Sequence, residues 1–427
     1  MARPRKNAPK PNTQELSLVP VEEQPYPLPE GWKWVRLGSV CAFIGGGTPD
    51  KSQKEYWNGD IPWASVKDVK GSYLYSTIDN ISELGLKNSA ANICCAGELI
   101  LVTRISPAKT VIAMIETAIN QDLKIVKSNL PVKFLHHYFC NFENLFVQKA
   151  SGTTVKGITI PNLQTTPIPL PPLDEQERIV TRIESLFAKL DEAKEKAEAV
   201  LDSYETRKAA ILHKAFTGEL TAKWREERGI EKDSWNSLTL KDIAKWGSGG
   251  TPSRKHPEYY TGDIAWVKTG ELNNDYLYDT EEHITPDAVK NSSAKLFPKE
   301  TVIIAMYGAT IGQCAILGIE ATTNQACACA VVNSSIDNRF LFAYLLSQKS
   351  NFINLGKGGA QPNISQAVLK DYPINLPCLP EQQEITRILN SLLEKEQQSK
   401  EAAETVLEQI DLMKKAILAK AFRGELG

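Results

Sequence analysis

Two carboxylates and a lysine in the first part of the chain have a spacing that could support metal-dependent cleavage of a phosphodiester. Asp60 precedes Asp68-Val69-Lys70, and nucleases of that kind hold a metal ion with acidic side chains that lie near a lysine. A later copy of the same sequence keeps Asp263 but has Glu271-Leu272-Asn273 where the lysine would be needed. The pattern is short and common, so we interpret it as a surface turn and keep a metal-dependent nuclease as an alternative.

Other catalytic motifs are absent from the sequence. There is no phosphate-binding GxxxxGK[ST] loop, no GxSxG nucleophile turn and no Asn-Pro-Pro-aromatic stretch of an adenine methyltransferase. The eight cysteines include the adjacent Cys94-Cys95 and the pair Cys327 and Cys329, which is too tight for a common zinc site. We therefore predict no catalytic residue, no metal site and reduced cysteines.

Glycine-rich loops carry the polar and basic residues that suit nucleic-acid binding. Two loops occur in each half of the chain, and Gly, Thr, Ser and Lys together suit phosphate contact, whereas Arg, Gln and Asn suit base edges. Ordinary solvated turns are the alternative for each loop. The candidate DNA-binding residues are Gly46, Gly47, Thr48, Lys51, Lys67, Arg104, Lys109, Thr153, Thr154, Lys156, Gly249, Gly250, Thr251, Ser253, Arg254, Lys255, Lys268, Tyr307, Lys357, Gln361 and Asn363.

These loops sit in a sequence that is duplicated. Thr48-Pro49 followed by Tyr56-Trp57-Asn58-Gly59-Asp60-Ile61-Pro62-Trp63 returns, at an offset of 203 residues, as Thr251-Pro252 and Tyr259-Tyr260-Thr261-Gly262-Asp263-Ile264-Ala265-Trp266. Later motifs return at an offset of 206 residues, among them Glu175-Gln176 as Glu381-Gln382. A period near ~200 residues indicates duplicated domains rather than a solenoid, whose repeats span roughly 20–50 residues.

Each copy has a β-rich mixed part and then a long helix. Short apolar runs with β-branched residues at 98–103 and 110–115, and at 300–306 and 313–317, predict buried strands. Prolines precede each helix, and Gly218 and Gly424 follow it as expected C-terminal caps. Apolar residues at alternating steps of four and three predict two helices that pair as an antiparallel coiled coil. The predicted contact residues for pairing and for partners are Ile179, Ile183, Leu186, Leu190, Ile385, Leu389, Leu392 and Ile410.

The ordered set of these motifs resembles the specificity subunit of type I restriction-modification systems. The motifs are Gly-Gly-Thr-Pro, Tyr-aromatic-x-Gly-Asp-Ile-x-Trp and Ile-x-Leu-Pro-x-Leu-x-Glu-Gln, and each occurs in both copies. The resemblance implies that each mixed part is a target recognition domain for one half of a bipartite, asymmetric site in double-stranded DNA. It also implies that the coiled coil sets the gap and docks two adenine methyltransferase subunits, which motor-nuclease subunits join.

The resemblance implies that this chain itself is not an enzyme and holds no cofactor. S-adenosylmethionine, ATP and Mg²⁺ are expected in the partner subunits, which direct methylation or restriction. The near-neutral net charge of −2 agrees with phosphate contacts that partners share. A structural coiled-coil scaffold with protein-binding end domains is a second alternative. The N-terminus is no secretory signal and no apolar run approaches a membrane span, so we expect a cytoplasmic protein.

The predicted fold class is α+β, with a pseudo-two-fold internal repeat. Two β-rich mixed target recognition domains are separated by a long antiparallel two-helix coiled coil. The predicted segments are a disordered arm at 1–27, the first recognition domain at 28–167, the first conserved long helix at 168–220, a linker at 221–233, the second recognition domain at 234–373 and the second conserved long helix at 374–427.

Overall fold

The computed structural model describes residues 16–150, 156–231, 234–273, 275–356 and 363–426. The chain divides into two compact units. The first unit consists of Met1–Ala197 and Thr405–Gly427, and the second of Glu198–Glu404. Each of the two long helices contributes residues to both units, so the first unit is discontinuous in sequence, whereas the second is one continuous stretch.

Among its described residues, the first unit contains eleven strands in three sheets. Their bounds are β1 (Lys33–Arg36), β2 (Cys41–Gly45), β3 (Ile61–Ala64), β4 (Tyr73–Leu74), β5 (Asp79–Ile81), β6 (Asn92–Cys94), β7 (Leu99–Val102), β8 (Thr110–Ala113), β9 (Thr117–Ile119), β10 (Leu123–Ser128) and β11 (Pro167–Leu170). The sheet orders are β2-β10-β7-β8-β4, β5-β3-β9-β6 and β1-β11. The pairs β3 with β9 and β4 with β8 are parallel, whereas the others are antiparallel.

The second unit repeats this topology strand for strand. Its strands are β12 (Asn236–Thr239), β13 (Ala244–Ser248), β14 (Ile264–Val267), β15 (Tyr276–Leu277), β16 (His283–Ile284), β17 (Leu296–Phe297), β18 (Val302–Ala305), β19 (Cys314–Leu317), β20 (Ala321–Thr323), β21 (Cys327–Val332) and β22 (Pro373–Leu376). Their orders are β13-β21-β18-β19-β15, β16-β14-β20-β17 and β12-β22. The predicted duplication of a mixed domain is confirmed, and the four predicted strands are β7, β8, β18 and β19.

Eleven short helices connect these strands within the described residues. In the first unit they are α1 (Leu37–Val40), α2 (Glu83–Lys87), α3 (Val132–Asn141), α4 (Glu143–Gln148) and α5 (Ile160–Gln164). In the second they are α7 (Ala222–Glu226), α8 (Leu240–Ile243), α9 (Pro286–Lys290), α10 (Asn338–Ser347), α11 (Lys349–Leu355) and α12 (Gln366–Lys370). The helices α3 and α10 cover the same face of their five-stranded sheets, with apolar residues buried along one side.

The two long helices are α6 (Leu173–Phe216) and α13 (Leu379–Phe422), and each has 44 residues. At 1.5 Å per residue each is about 65 Å long. The helix α6 starts one residue before Asp174, so Asp174 lies in the first turn, near the positive end of the helix dipole. Gly218 and Gly424 follow the helices with φ of 80° and 74°, and both predicted glycine caps are therefore in the left-handed conformation that ends many helices.

Within each unit the long helices run antiparallel. In the first unit Arg178 Nη2 donates to the Leu426 carbonyl at 3.1 Å, and Lys414 Nζ donates to Asp191 at 2.5 Å. In the second unit Tyr204 donates to Gln397 at 2.9 Å and Arg207 Nε to Glu396 at 2.7 Å. Glu396 lies four residues after Leu392, at a heptad position that is otherwise apolar, and Arg207 of the facing helix explains why a carboxylate is found there.

The seam of α13 departs from a strict heptad toward its C-terminal half. Alternating steps of three and four from Leu392 lead through Ser399, Val406 and Met413, but all three are exposed. Leu407 is half-buried instead. A straight helix drifts by ~20° per heptad relative to the ideal repeat, which moves the contact line by one residue.

The core of each unit combines sheet, short helix and long-helix ends. In the first unit Phe134 and Tyr138 of α3 pack with Ile183 of α6 and with Leu418 and Phe422 of α13. In the second unit the corresponding helix α10 packs with Ala215, Ile385 and Leu389. The long helices are therefore structural parts of each unit at these ends. Among the described residues, none of the helices combines the length and apolarity needed to cross a bilayer.

The predicted arm and the predicted linker both contain residues in defined structure. In the predicted disordered arm, Leu18 bridges Val35 and Val19 is buried, because the segment adds to the edge of β1. Residues 1–15 lie outside the described part. The predicted linker at 221–233 contains α7, and its Arg225 is buried.

Candidate nucleic-acid interface

The first glycine loop follows β2 and is held against β3 and β9. The Gly47 N–H donates to the Ile119 carbonyl at 2.9 Å, and Trp63 Nε1 donates to the Gly47 carbonyl at 3.0 Å. A Cβ on Gly46 would lie 2.2 Å from the carbonyl oxygens of Ile119 and Asn120. Glycine is required here because another backbone segment comes this close.

The second unit builds the same loop with the same contacts. The Gly250 N–H donates to the Thr323 carbonyl at 2.9 Å, and Trp266 Nε1 donates to the Gly250 carbonyl at 3.0 Å. A Cβ on Gly249 would lie 1.8 Å from the Thr323 carbonyl oxygen. The N–H groups of Gly47 and Gly250 are therefore occupied within their units and are not open to a phosphate. Both tryptophans are buried core residues.

The loop threonines are fixed by glutamines from the other side of the loop. Thr48 donates to Gln121 Oε1, and Thr251 donates to Gln325 Oε1 at 2.5 Å. Each threonine hydroxyl thus has a defined position at the edge of its unit. Gln121 and Gln325 were not among the predicted site residues, although their equivalent places in the two copies could have identified them.

A cavity of about 570 Å³ opens beside the first glycine loop. Three of the candidate residues line it, namely Thr48, Lys51 and Lys67. Lys51 and Lys67 are exposed, and neither forms an ion pair within the described residues. The other lining residues are Trp57, Trp63, Ser65, Val66, Asp79, Ile105, Asn120, Gln121 and Asp122.

A second group of candidate residues contacts the wall of this cavity. Arg104 Nη1 donates to Asp122 Oδ1 at 3.0 Å, and the Arg104 backbone bridges Gly157. The Lys156 carbonyl accepts from the Ile105 N–H at 2.9 Å, which places Lys156 beside a residue that lines the cavity. Lys109 is exposed but does not line the cavity. Thr153 and Thr154 lie outside the described residues.

In the second unit the residues that correspond to Lys51 and Asp79 of the cavity wall belong to an ion-pair cluster. Arg254 donates through Nη1 and Nη2 to the Glu282 carboxylate at 2.6 and 3.1 Å. Its guanidinium lies over the Tyr260 ring at 4.0 Å and over the Trp266 ring at 5.3 Å. Lys268 Nζ donates to Glu281 at 2.9 Å and to Glu282 at 3.1 Å.

The charges of this cluster compensate each other. The Arg254 guanidinium holds the pKa of Glu282 below its usual range, and the Glu281 carboxylate raises that of Lys268. Two cations and two carboxylates thus meet at one surface point, so Arg254 and Lys268 are not free cations in this structure. Glu281 and Glu282 were not among the predicted site residues, yet Glu282 is the counterpart of Asp79 at the offset of 203 residues.

The remaining candidates of the second unit lie near the same edge. Ser253 and Lys255 are exposed and flank Arg254. The half-exposed Tyr307 bridges Asn363, as its counterpart Arg104 bridges Gly157. Lys357 and Gln361 lie outside the described residues.

The residues predicted for helix pairing lie in different environments. Ile179, Ile183, Ile385, Leu389 and Ile410 are buried, and the first four belong to the unit cores. Leu186, Leu190 and Leu392 are half-buried. Exposed apolar residues on α13, by contrast, include Leu412 and Met413.

Asp68 of the nuclease-like pattern has a structural role. Its carboxylate accepts from the Ser65 N–H at 2.8 Å, from Ser65 Oγ at 3.0 Å and from the Ile78 N–H at 2.8 Å. These bonds cap a short 3₁₀ turn, as in a capping box. Across residues 16–426, outside the gaps, no group of three His, Cys, Asp or Glu side chains is placed to hold a metal ion.

Comparisons with known proteins agree with this architecture. A relative from Methanocaldococcus jannaschii, the type I restriction enzyme MjaIX specificity subunit, is 24% identical over 386 residues, which are 86% of this chain and 88% of that protein. The type I restriction enzyme EcoKI specificity subunit of Escherichia coli is 23% identical over 435 residues, covering 93% and 90%.

A solved structure has the same fold. The HsdS subunit from Thermoanaerobacter tengcongensis superposes with a TM-score of 0.68 over 94% of this chain and 99% of that chain, at 20% sequence identity. A family model described as the type I restriction modification DNA specificity domain matches residues 29–201 and again residues 232–409. Both matches together span more than half of the sequence, and the chain therefore belongs to the family of type I restriction-modification DNA specificity domains.

Proposed function

We propose that this chain is the non-catalytic specificity subunit of a type I restriction-modification complex. Each unit reads one half of a bipartite, asymmetric DNA site. The observation that carries this proposal is a repeated topology with different side chains at equivalent surface positions. Lys51 and Asp79 in the first unit correspond to Arg254 and Glu282 in the second. Two similar scaffolds with different surface chemistry suit two different base sequences.

The glycine loops and their neighbours form the DNA-facing edge of each unit. In the first unit Lys51, Lys67 and Arg104 would contact phosphates, and in the second unit Lys255 would do so. Arg254 and Lys268 are instead held by the Glu282 carboxylate. The rigid Gly–Trp contacts beneath them favour this role, because side chains on a fixed loop lose less freedom on binding. The threonine–glutamine pairs offer polar groups for base edges.

The two helices would set the gap between the half-sites. Both have 44 residues although the mixed parts have drifted in length. Equal helices in diverged copies favour a function in which length itself matters. The same helices would dock two methyltransferase subunits, and motor-nuclease subunits would join that assembly to cut unmodified DNA.

Mapping of methylated adenines tests this function. DNA from cells with and without the chain is compared, and the expected result is one bipartite motif that appears only when the chain is present. Exchange of the mixed part 28–167 for that of another specificity subunit should change one half of the motif. An unchanged motif, or none, would contradict the proposed function.

A second experiment tests the role of the helices. Insertion of one helical turn at matching places in α6 and α13 should alter the gap in the methylated motif and leave both half-sites unchanged. Altered bases with the original gap would contradict the role of the helices as a spacer.

A further inference from the structure

Ile105 has an unusual backbone conformation and an exposed side chain. Its φ is 73°, and 60% of the residue is exposed. For a β-branched residue this left-handed conformation is sterically unfavourable. The conformation is held by the Ile105 N–H, which donates to the Lys156 carbonyl at 2.9 Å, and by the bridge of Arg104 to Gly157.

The second copy has glycine at the same place. Gly308 follows Tyr307 as Ile105 follows Arg104, and its φ is 65°. Glycine adopts this conformation without a steric penalty. The first unit therefore keeps an apolar side chain at a position whose backbone conformation favours glycine. Strained residues of this kind concentrate at functional sites.

The side chain of Ile105 lines the cavity of the first unit. The volume of about 570 Å³ lies within the range of roughly 300–1,000 Å³ for sites that enclose small molecules. Lys51 and Lys67 line the cavity as cations, and Asn120 and Gln121 contribute amide groups. The ring of Trp57 stands edge-on to Trp63, with ring centroids 5.0 Å apart.

In the second unit an ion pair stands at the positions that correspond to the cavity wall. Arg254 occupies the position of Lys51, and it lies over Tyr260, the counterpart of Trp57, while it binds Glu282. Gly308 thus replaces the exposed Ile105, and the Arg254–Glu282 ion pair replaces two residues of the cavity wall, Lys51 and Asp79. The two copies therefore differ both at the apolar side chain and at the wall beside it.

We propose that the first unit takes one unstacked nucleobase of its half-site into this cavity, and that Ile105 fills the space left in the base stack. Apolar side chains such as isoleucine act as wedges between base steps, and proteins that extrude a base hold it in a pocket. Lys51 and Lys67 contact the neighbouring phosphates. The second unit reads its half-site with the bases stacked. The inference rests on the proposed function, since it needs a half-site.

The test uses the full chain assembled with its methyltransferase partners and the duplex identified by methylation mapping. The fluorescent adenine analogue 2-aminopurine is placed at successive positions of both half-sites, apart from the methylated adenines. One position in the half-site of the first unit should brighten on binding. A mismatch at that pair should tighten binding by roughly tenfold, because less pairing is lost on extrusion.

The variant Ile105→Gly removes the wedge and keeps the fold, because glycine adopts the positive φ at this position without a steric penalty. It should abolish the brightening and weaken binding to the intact duplex by about tenfold, with a smaller loss on the mismatched duplex. Met114→Ala, at an exposed apolar residue that does not line the cavity, is the control and should behave as the parent.

Two results would overturn the inference: no position brightens, or the same position brightens equally in Ile105→Gly. In either case a retained preference for the mapped site would leave the proposed function intact. A complex without any preference for that site would contradict the proposed function instead.

Discussion

Arg225 and Glu381 form an ion pair that is closed to solvent. Arg225 Nη1 donates to Glu381 Oε1 at 2.5 Å, and their side chains are 6% and 0% exposed. Glu381 also accepts from Thr221 at 2.7 Å and from Trp235 Nε1 at 3.1 Å. Arg225 Nη2 donates to the Gly218 carbonyl at 2.6 Å. The start of α13 is thereby tied to the segment that follows α6.

Loss of one partner should destabilise the second unit strongly. Arg225→Ala leaves a buried carboxylate without its cation, and we expect a loss of ~3–5 kcal/mol in the free energy of unfolding, measured by urea titration. Arg387→Ala is the control, because Arg387 pairs with Glu384 at the surface and such pairs contribute ~0–1 kcal/mol. Equal effects of the two variants would contradict the assignment of a buried, coupled pair.

A pair of buried histidines should make the first unit sensitive to acid. Burial lowers the pKa of His136 to about 4 and that of His137 to about 3. The unfolded chain binds these protons near pH ~6.5, so it takes up more protons than the folded chain below that value. Stability is therefore complete above pH ~6.5 and falls as the pH drops toward the folded pKa values, by at most ~1.4 kcal/mol per pH unit for each histidine.

His137→Phe tests this dependence. The His137 Nε2 atom has no hydrogen-bond partner within the described structure, and the ring meets Phe187 edge-on at 5.8 Å. Phenylalanine should therefore fit, keep stability at pH 7 and reduce the slope between pH 6 and pH 4, measured by thermal unfolding at each pH. A slope equal to that of the parent would show that His137 does not cause the dependence.

The glycine loop of the second unit should tolerate no side chain at Gly249. A Cβ there would meet the Thr323 carbonyl oxygen at 1.8 Å, so Gly249→Ala should cost about 1–3 kcal/mol through forced backbone movement. Gly270→Ala is the matched control, since nothing lies within 4 Å of its added Cβ. We expect it to change the free energy of unfolding by less than ~0.5 kcal/mol. A neutral Gly249→Ala would mean that the loop can move away from β20.

Local sequence patterns predicted those parts of the fold that local chemistry determines. The runs that became β7 and β18 are apolar and β-branched, and Gly218 and Gly424 end the long helices because few other residues adopt a positive φ. The polar position Glu396 could be seen in the seam, but its partner Arg207 lies 189 residues away along the chain. Sequence spacing carries no information about such a contact.

In the candidate site, too, local sequence identified individual residues but not their contacts with distant parts of the chain. Arg254 could be singled out from its loop, whereas its engagement by Glu282 depends on β14 and β16 lying side by side. The N–H groups of the glycine loops looked available for phosphate, yet Gly47 and Gly250 use theirs within the units. The offset of 203 residues pairs Asp79 with Glu282 and Ile105 with Gly308. These differences between the two copies are visible in the sequence, but their effect on contacts is visible only in the structure.

The ion pair between Arg254 and Glu282 predicts how the DNA affinity of the complex depends on salt concentration. Glu282→Gln removes the carboxylate that both Arg254 and Lys268 contact, which releases Arg254 for a phosphate. Each added phosphate contact steepens the dependence of log affinity on log salt concentration by ~0.9. The assembled complex with Glu282→Gln should therefore bind its duplex more tightly at low salt, with a steeper slope, measured by fluorescence anisotropy between 50 and 200 mM salt.

Glu281→Gln provides the control for this experiment. It removes one carboxylate from Lys268, but Glu282 still holds both Lys268 and Arg254, so the salt slope should stay close to that of the parent. A steeper slope in Glu282→Gln alone means that Glu282 withholds Arg254 from the phosphates. A weaker affinity with an unchanged slope would contradict this, because it would mean that Glu282 orients Arg254 for DNA rather than competing with it.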